Sequence, residues 1–274
     1  MLLTVGPSGR GSGCCSHGSG YLQPRRTFEP PEICGTFEEI DHWRVTKAML
    51  PFTQNQLLDV FARYNQSITP MLVPAYLAGL AALWLVRDRK EGLQRAAWVI
   101  LGALWLWTGT VFFFFYYSQI GPPGPFLGLP FMIEGGLCVF LGLNEGWATR
   151  PVANRDLRIG WVMAGSALLY PFAMLLMGHD YPSVPMFGVT PCPLVVFTFA
   201  IMLLSPLRVP TWMLWVPLAW SVIGGSAALL LQMPQDVLLP VSALALLASR
   251  YLTAHGRLSG VAAPAAPRGS LLKT

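Results

Sequence analysis

RDRKEGLQRAAWVILGALWLWTGTVFFFFYYSQIGPPGP, Arg87 to Pro125, places a basic loop, a long apolar run and an uncharged connection in a row. The run 96–118 contains no Asp, Glu, Lys or Arg. It is long enough to cross the hydrocarbon layer of a bilayer as a helix, which takes about 20 mostly apolar residues. Arg87, Arg89, Lys90 and Arg95 precede it, whereas 119–125 has no Lys or Arg. Cytoplasmic loops of membrane proteins carry the excess of Lys and Arg, so this stretch alone predicts a crossing and its direction.

The whole chain agrees. Of its 274 residues 54% are hydrophobic and 11% charged, and the mean hydropathy is +0.51. Soluble domains carry roughly 25% charged residues, so these few cannot cover a water-exposed surface. Ten Trp and 12% aromatic content suit the interfacial belts of a membrane protein. The sequence pI of 9.1 does not indicate a nucleic-acid partner, because the Lys and Arg are spread over short loops with no aromatic-interleaved patch. Cys14, Cys15, Cys34, Cys138 and Cys192 are an odd, scattered set with no disulfide framework and no CxxC metal knuckle. No nucleotide-binding, zincin or hydrolase motif is present, and His17, His42 and His255 form no metal set. No cofactor or metal is expected.

Extending the reading outward gives an all-α, polytopic transmembrane helix bundle of about seven helices, preceded by a short amphipathic interfacial helix. The spans are placed at 70–86, 96–118, 126–143, 159–177, 190–206, 211–231 and 236–252. Thr53 and Gln56 can form a capping box, and Leu57, Val60, Phe61 and Tyr64 keep helical spacing. The segment 49–69 is therefore expected to lie on the membrane surface, with the transmembrane domain over 70–252. Residues 1–48 are Gly/Ser-rich and then charged, which predicts a disordered extension; a second reading starts translation at Met49. Residues 253–274 are expected to be a disordered cytoplasmic tail.

Loop charge alternates along the chain. Arg150, Arg155 and Arg158 follow the third span, Arg208 the fifth, and Arg250, Arg257, Arg268 and Lys273 the last. The connections near 119–125, 178–189 and 232–235 have no Lys or Arg. That pattern calls for an odd number of crossings in a cell inner membrane, with the N-terminus outside and the C-terminus in the cytoplasm.

Helices in lipid associate through small residues and polar contacts. Gly128, Gly135 and Gly142 repeat every seven residues and bare one face of the third span. Ala75, Gly79 and Ala82 do so in the first, and Ser221, Gly224 and Ala228 in the sixth. Pro171 and Pro217 are expected to kink the fourth and sixth. The run closing the second span, with Trp105, Trp107, Tyr116 and Tyr117, reads as a lipid-facing and interfacial belt, with an aromatic ligand pocket as the alternative; Thr108 can bond back to its own helix.

GHDYPSVPMFGVTPCP, Gly178 to Pro193, holds the only compact polar set. Thr190 is a good N-cap, and Pro191 falls at the first helical position, where its missing N–H costs nothing. The residues before it must be irregular, and irregular backbone at membrane depth survives only when covered by protein or lining a wet cavity. They are expected to fold back as a cap over the bundle. Cys192 in the first helical turn, with His179 and Asp180 across the loop, suggests a reactive thiol or an anion or metal site on the outer face; the alternative is a small buried residue in a tight turn. Glu134 is the only acidic residue in the middle of a span, with Cys138 one turn further along the same face. Such a carboxyl suggests a proton or cation relay, or a neutral acid donating one interhelical hydrogen bond. Three functions remain open. A small-solute or ion permease would use Glu134 in a polar cavity; a non-catalytic partner subunit would need only packing surfaces; an enzyme would gather His179, Asp180 and Cys192. Beyond the lipid bilayer, the partner expected is a small solute or ion.

MLPFTQNQLLDVFARYNQSITP from Met49, the WTG of Trp107 to Gly109, GHDYPSVPMFGVTPCP with FTF at Phe197 to Phe199, and WSVIGGSAALLL from Trp220 together resemble a bacterial family of multipass membrane proteins of unknown function. The resemblance covers roughly 49–251 and implies a start at MLPFT and a helical membrane fold, but no activity. It also implies a Tyr-His pair shortly after WTG. This chain reads Phe112 and Phe113 there, so a metal or proton role built on that His does not carry over.

Overall fold

The structure, a computed structural model, describes residues 52–88, 90–121, 124–231 and 233–261. The expected extension over 1–48 and the end of the tail beyond 261 lie outside them. Among the described residues there are eight α-helices and no strand. They are α1 (Gln54–Leu85), α2 (Glu91–Trp107), α3 (Gly124–Leu143), α4 (Asn154–Leu168), α5 (Tyr170–Leu176), α6 (Pro191–Leu204), α7 (Trp215–Leu230) and α8 (Leu238–Val261). A π-helix over Thr108–Tyr116 continues α2, and short 3₁₀ turns precede α7 and α8.

The expected surface helix is not a separate element. The capping box forms, with Thr53 N donating to Gln56 Oε1 at 2.8 Å and Gln56 N to Thr53 Oγ1 at 3.4 Å. From there α1 runs 32 residues through Pro70 and Pro74. Its buried residues Val60, Tyr64, Ile68, Leu72, Ala75, Gly79 and Ala82 form one stripe at helical spacing, and both prolines lie on the exposed side. Pro70 supplies no N–H to the carbonyl of Gln66, and Thr69 Oγ1 lies 3.2 Å from that oxygen.

Five helical segments are long and apolar enough to cross a membrane, and a sixth if α4 and α5 are one span, bent by 56°. The bend falls at Leu169, with Pro171 in the first turn of α5; a proline there begins the new segment instead of interrupting an old one. The remaining expected span is α6, only 14 residues and about 21 Å long. Every residue of α6 is buried. A helix apolar all round belongs inside a bundle, and α6 is the centre of this one. Leu77, Phe126, Val162, Leu229 and Leu244 are exposed on the outside, as lipid contact requires.

Two ends can be assigned from contacts between loops. At one end, Arg95 pairs with Glu145 at 3.0 Å. There Arg150 N donates to Pro206 O and Arg208 N to Ala148 O, and Arg155 Nη2 reaches Thr253 at 3.2 Å. The basic connections thus share this end. At the other, Arg63 donates to Gln119 at 2.9 Å, Thr69 meets Tyr181 at 3.1 Å, and Tyr170 donates to Asp236. The chain therefore passes from end to end along α6 as along the longer helices.

The glycine heptad is the α2–α3 seam. A Cβ at Gly135 would stand 2.8 Å from Leu106 N and 2.9 Å from Gly102 O, whereas at Gly136 it would meet nothing within 4 Å. The aromatic run at the end of the second span is divided: Phe114 and Phe115 are exposed, as a lipid-facing belt requires, but much of the rest faces the interior. Trp105 is fully buried and donates to Thr198 Oγ1 at 2.8 Å, and Trp107 donates to Tyr64 Oη at 2.9 Å. The wider π turn places adjacent Phe112 and Phe113 both inside. Thr110, not Thr108, bonds back to its helix, at Leu106 O; the buried Thr108 hydroxyl has no partner. At the C-terminal end α8 continues past 252, the boundary expected for the tail, to Val261. No Gly or Pro interrupts it from Val241 to His255, and Thr253 Oγ1 bonds to Ser249 O at 2.9 Å.

Candidate functional site

Thr190 precedes α6 with extended backbone and Pro191 opens the helix, as the sequence predicts. The Thr190 hydroxyl does not cap it, however, but donates to Met186 O at 2.7 Å. This closes a turn within the connection 178–190, which contacts from α1 hold against the bundle. Asn65 Nδ2 donates to Pro182 O and Val184 O, both at 2.7 Å, and Tyr64 Oη to Val189 O at 2.8 Å. Phe187 is fully buried, between Tyr76 and Phe197 at 5.2 and 4.9 Å. It occupies the bare face of α1 at Gly79, where any side chain would collide with its ring. Gly188 has φ +76 and lies against Ala75, a backbone conformation and a proximity that suit glycine.

Cys192 is buried beside Asp236, Trp220 and Tyr170. His179 is half-buried and Asp180 exposed, and neither lines the cavity that Cys192 lines. The thiol therefore faces a carboxylate and an indole, not an imidazole. Asp236 escaped the sequence reading because it stands at the first position of the last span, where one acidic residue looks like a boundary. Its neighbour in the fold, Tyr170, is distant in sequence.

The cavity has a volume of about 100 Å³ and lies between the folded-back loop, the π segment and α7. Phe61, Phe112 and Tyr117 supply aromatic wall, and Pro185 and Pro191 close the loop side. Its polar part comes from Trp220, Gln235, Asp236 and Cys192. Asp236 accepts the Tyr170 hydroxyl. Gln235 Nε2 is a buried donor with no acceptor, and Trp220 Nε1 has beside it only the Cys192 sulfur, a weak acceptor outside good hydrogen-bonding geometry. Buried polar groups are normally paired, and each unmade bond costs about 1–3 kcal/mol. Two donors lacking a good acceptor and a carboxylate on an otherwise apolar wall suit a small, mainly apolar molecule with one polar group. Among the described residues no three His, Cys, Asp or Glu side chains are grouped to hold a metal ion.

Glu134 is fully buried on α3, and neither carboxyl oxygen has a hydrogen-bond partner. Cys138, one turn on, is buried too. Along α3 the order from the cavity inward is Leu127 on the wall, then Phe131, then Glu134. Phe131 packs on Trp105 at 4.5 Å, Phe113 at 4.8 Å and Trp220 at 5.0 Å. This aromatic layer stands between the cavity and Glu134, which the permease reading placed in a polar cavity and which does not line this one. Phe112 and Phe113, at the positions where the resemblance implied Tyr-His, are part of the same layer and the cavity wall.

No curated protein and no solved structure matches the chain. A family model does, over residues 54–257, from the first turn of α1 into the last turns of α8. The matched region includes both walls of the cavity, the folded-back loop and the whole bundle, so the chain belongs to DUF6064, a family of unknown function.

Proposed function

We propose that this protein binds a small, mainly apolar molecule carrying one hydroxyl or comparable group, as the uptake step of a small-solute permease. The observation that carries the reading is the pair of donors lacking a good acceptor, Trp220 Nε1 and Gln235 Nε2, beside Asp236 in an apolar cavity. A hydroxyl oxygen would accept from those donors while its proton goes to the carboxylate, satisfying three groups at once. The basic loops share the opposite end, and the positive-inside rule puts that end in the cytoplasm. The cavity then faces the outside of an inner membrane. Glu134 has no role in this binding step.

Benzene and phenol differ by the one group at issue, so their effects on thermal unfolding of the detergent-solubilised chain test the reading. At a hundredfold excess over its Kd phenol is expected to stabilise the protein by about 2.7 kcal/mol, and benzene at the same concentration by less. Gln235→Leu is expected to remove most of the difference. Equal stabilisation by both compounds in the unmodified chain would refute the reading.

A further inference from the structure

A second cavity, of about 220 Å³, lies at the basic end between the loop 205–210, α4 and α8. Its walls carry three guanidinium groups, Arg150, Arg208 and Arg250, and one carboxylate, Asp156. Three positive charges less one negative leave +2. Asp156 is also fully engaged: Oδ2 pairs with Arg150 Nη1 at 3.0 Å, and Oδ1 with Arg155 Nη2 at 3.2 Å and with the Ser249 hydroxyl. It has nothing left for Arg208 or Arg250, and among the described residues neither forms an ion pair.

The arrangement is built, not accidental. Arg150 is held in place by Met202 O at 3.1 Å and Leu203 O at 3.2 Å, the carbonyls left open at the end of α6. Arg250 touches Val209 O at 3.5 Å and is near enough to Arg150 to be repelled by it. Like charges held around one cavity are stabilised by an anion among them. The floor is apolar, with Met202, Leu203, Leu207 and Leu246 buried, and the rim carries exposed Arg208. Planar guanidinium groups match phosphate oxygens in charge and in fork geometry.

We infer that this cavity is a phosphate-binding site at the membrane surface, independent of the cavity at the other end. The phosphate belongs to an anionic lipid headgroup or to a soluble phosphate; the chemistry at the arginines is the same.

The test uses the full chain in nanodiscs. In one arm, native mass spectrometry follows retention of phosphatidylglycerol against phosphatidylcholine from an equal mixture. In the other, inorganic phosphate is titrated against chloride in discs of phosphatidylcholine alone, with thermal unfolding as readout. Selective retention in the first arm assigns the site to a headgroup; a phosphate-specific shift in the second assigns it to a soluble ligand. Arg208→Gln and Arg250→Gln should each weaken whichever binding is seen roughly fivefold, the worth of one surface charge. Arg158→Gln, an exposed arginine outside the cavity, should leave it unchanged. Arg208 is exposed and its side chain makes no ion pair, so its loss leaves the fold intact. No preference in either arm, or Arg208→Gln binding like the unmodified chain, would overturn the assignment.

Discussion

Asn65 is the residue on which the folded-back loop most depends. Its Nδ2 serves two loop carbonyls, Pro182 O and Val184 O, while its own Oδ1 is buried without a partner. Asn65→Leu would leave two carbonyls unsatisfied, Val184 O buried and Pro182 O part-buried, at about 1–3 kcal/mol each. It would also remove the orphaned Oδ1, returning about the same amount once. The expected loss is therefore about 2 kcal/mol, from one net unsatisfied group. Asn65→Asp keeps the shape but offers only acceptors, and it sets a carboxyl against two carbonyl oxygens. It should destabilise more than the leucine variant despite being nearer in size. Unfolding of the detergent-solubilised chain by increasing mole fractions of dodecyl sulfate measures both. Maleimide labelling of Cys192 reports the loop itself, since Cys192 is buried at its base. Both variants should label faster than the parent, with Cys192→Ser in each as the blank. An aspartate variant as stable as the parent, or a more stable one than the leucine variant, would refute the proposed role of Nδ2.

Gly135→Ala, in the α2–α3 seam, should destabilise by about 1–3 kcal/mol through overpacking. Gly136→Ala, with open space around it, should be neutral or slightly stabilising in the same unfolding assay. Glu134→Met should raise stability by about 1–3 kcal/mol, because it removes a buried carboxyl with no hydrogen-bond partner; a loss would show that the carboxyl is paired. Asp156→Asn should cost about 3–5 kcal/mol, since it strips the shared counter-charge from Arg150 and Arg155, and a change under 1 kcal/mol would contradict the network. Accessibility tags after Lys90 and after Gly121 should report from opposite sides of the membrane, and reports from one side would break the alternation of ends.

The five long apolar helices were legible because each depends on composition over some 20 residues, and lipid tolerates few exceptions. The glycine heptad was legible too, since period seven on a helix fixes one face whatever lies opposite. The partner of each face was not. Nothing around Ala75, Gly79 and Ala82 says that a loop phenylalanine fills the stripe instead of a neighbouring helix. The aromatic run 105–117 misled in part, with Phe114 and Phe115 exposed but its tryptophans bonded to the interior, for a related reason. A lipid-facing Trp and a core Trp have the same hydropathy, and what decides is whether Thr198 and Tyr64 are within reach of the indole N–H groups. The boundary placed between 69 and 70 is overridden by the continuous buried stripe of α1, which runs on through Pro70 and Pro74. Asp236 became visible only when folding brought Tyr170 and Cys192 to it.

The prolines of the folded-back loop connect these findings. α6 is about 9 Å shorter than a 30 Å hydrocarbon layer, so a crossing along it would have to be completed by irregular chain. Irregular backbone in lipid is costly through its unpaired N–H and C=O groups. Pro182, Pro185, Pro191 and Pro193 have no N–H to pair, which removes four donors from 16 consecutive residues. Loop carbonyls are then served from outside by Asn65 and Tyr64, and from within the loop by the Thr190 hydroxyl. A chain arranged this way can end a helix in mid-membrane without exposing polar backbone to lipid. It also leaves rigid Pro185 and Pro191 where another turn of helix would have brought bulkier side chains, and that is where the cavity beside Asp236 lies. The short helix and the binding cavity are thus two results of one local choice of sequence.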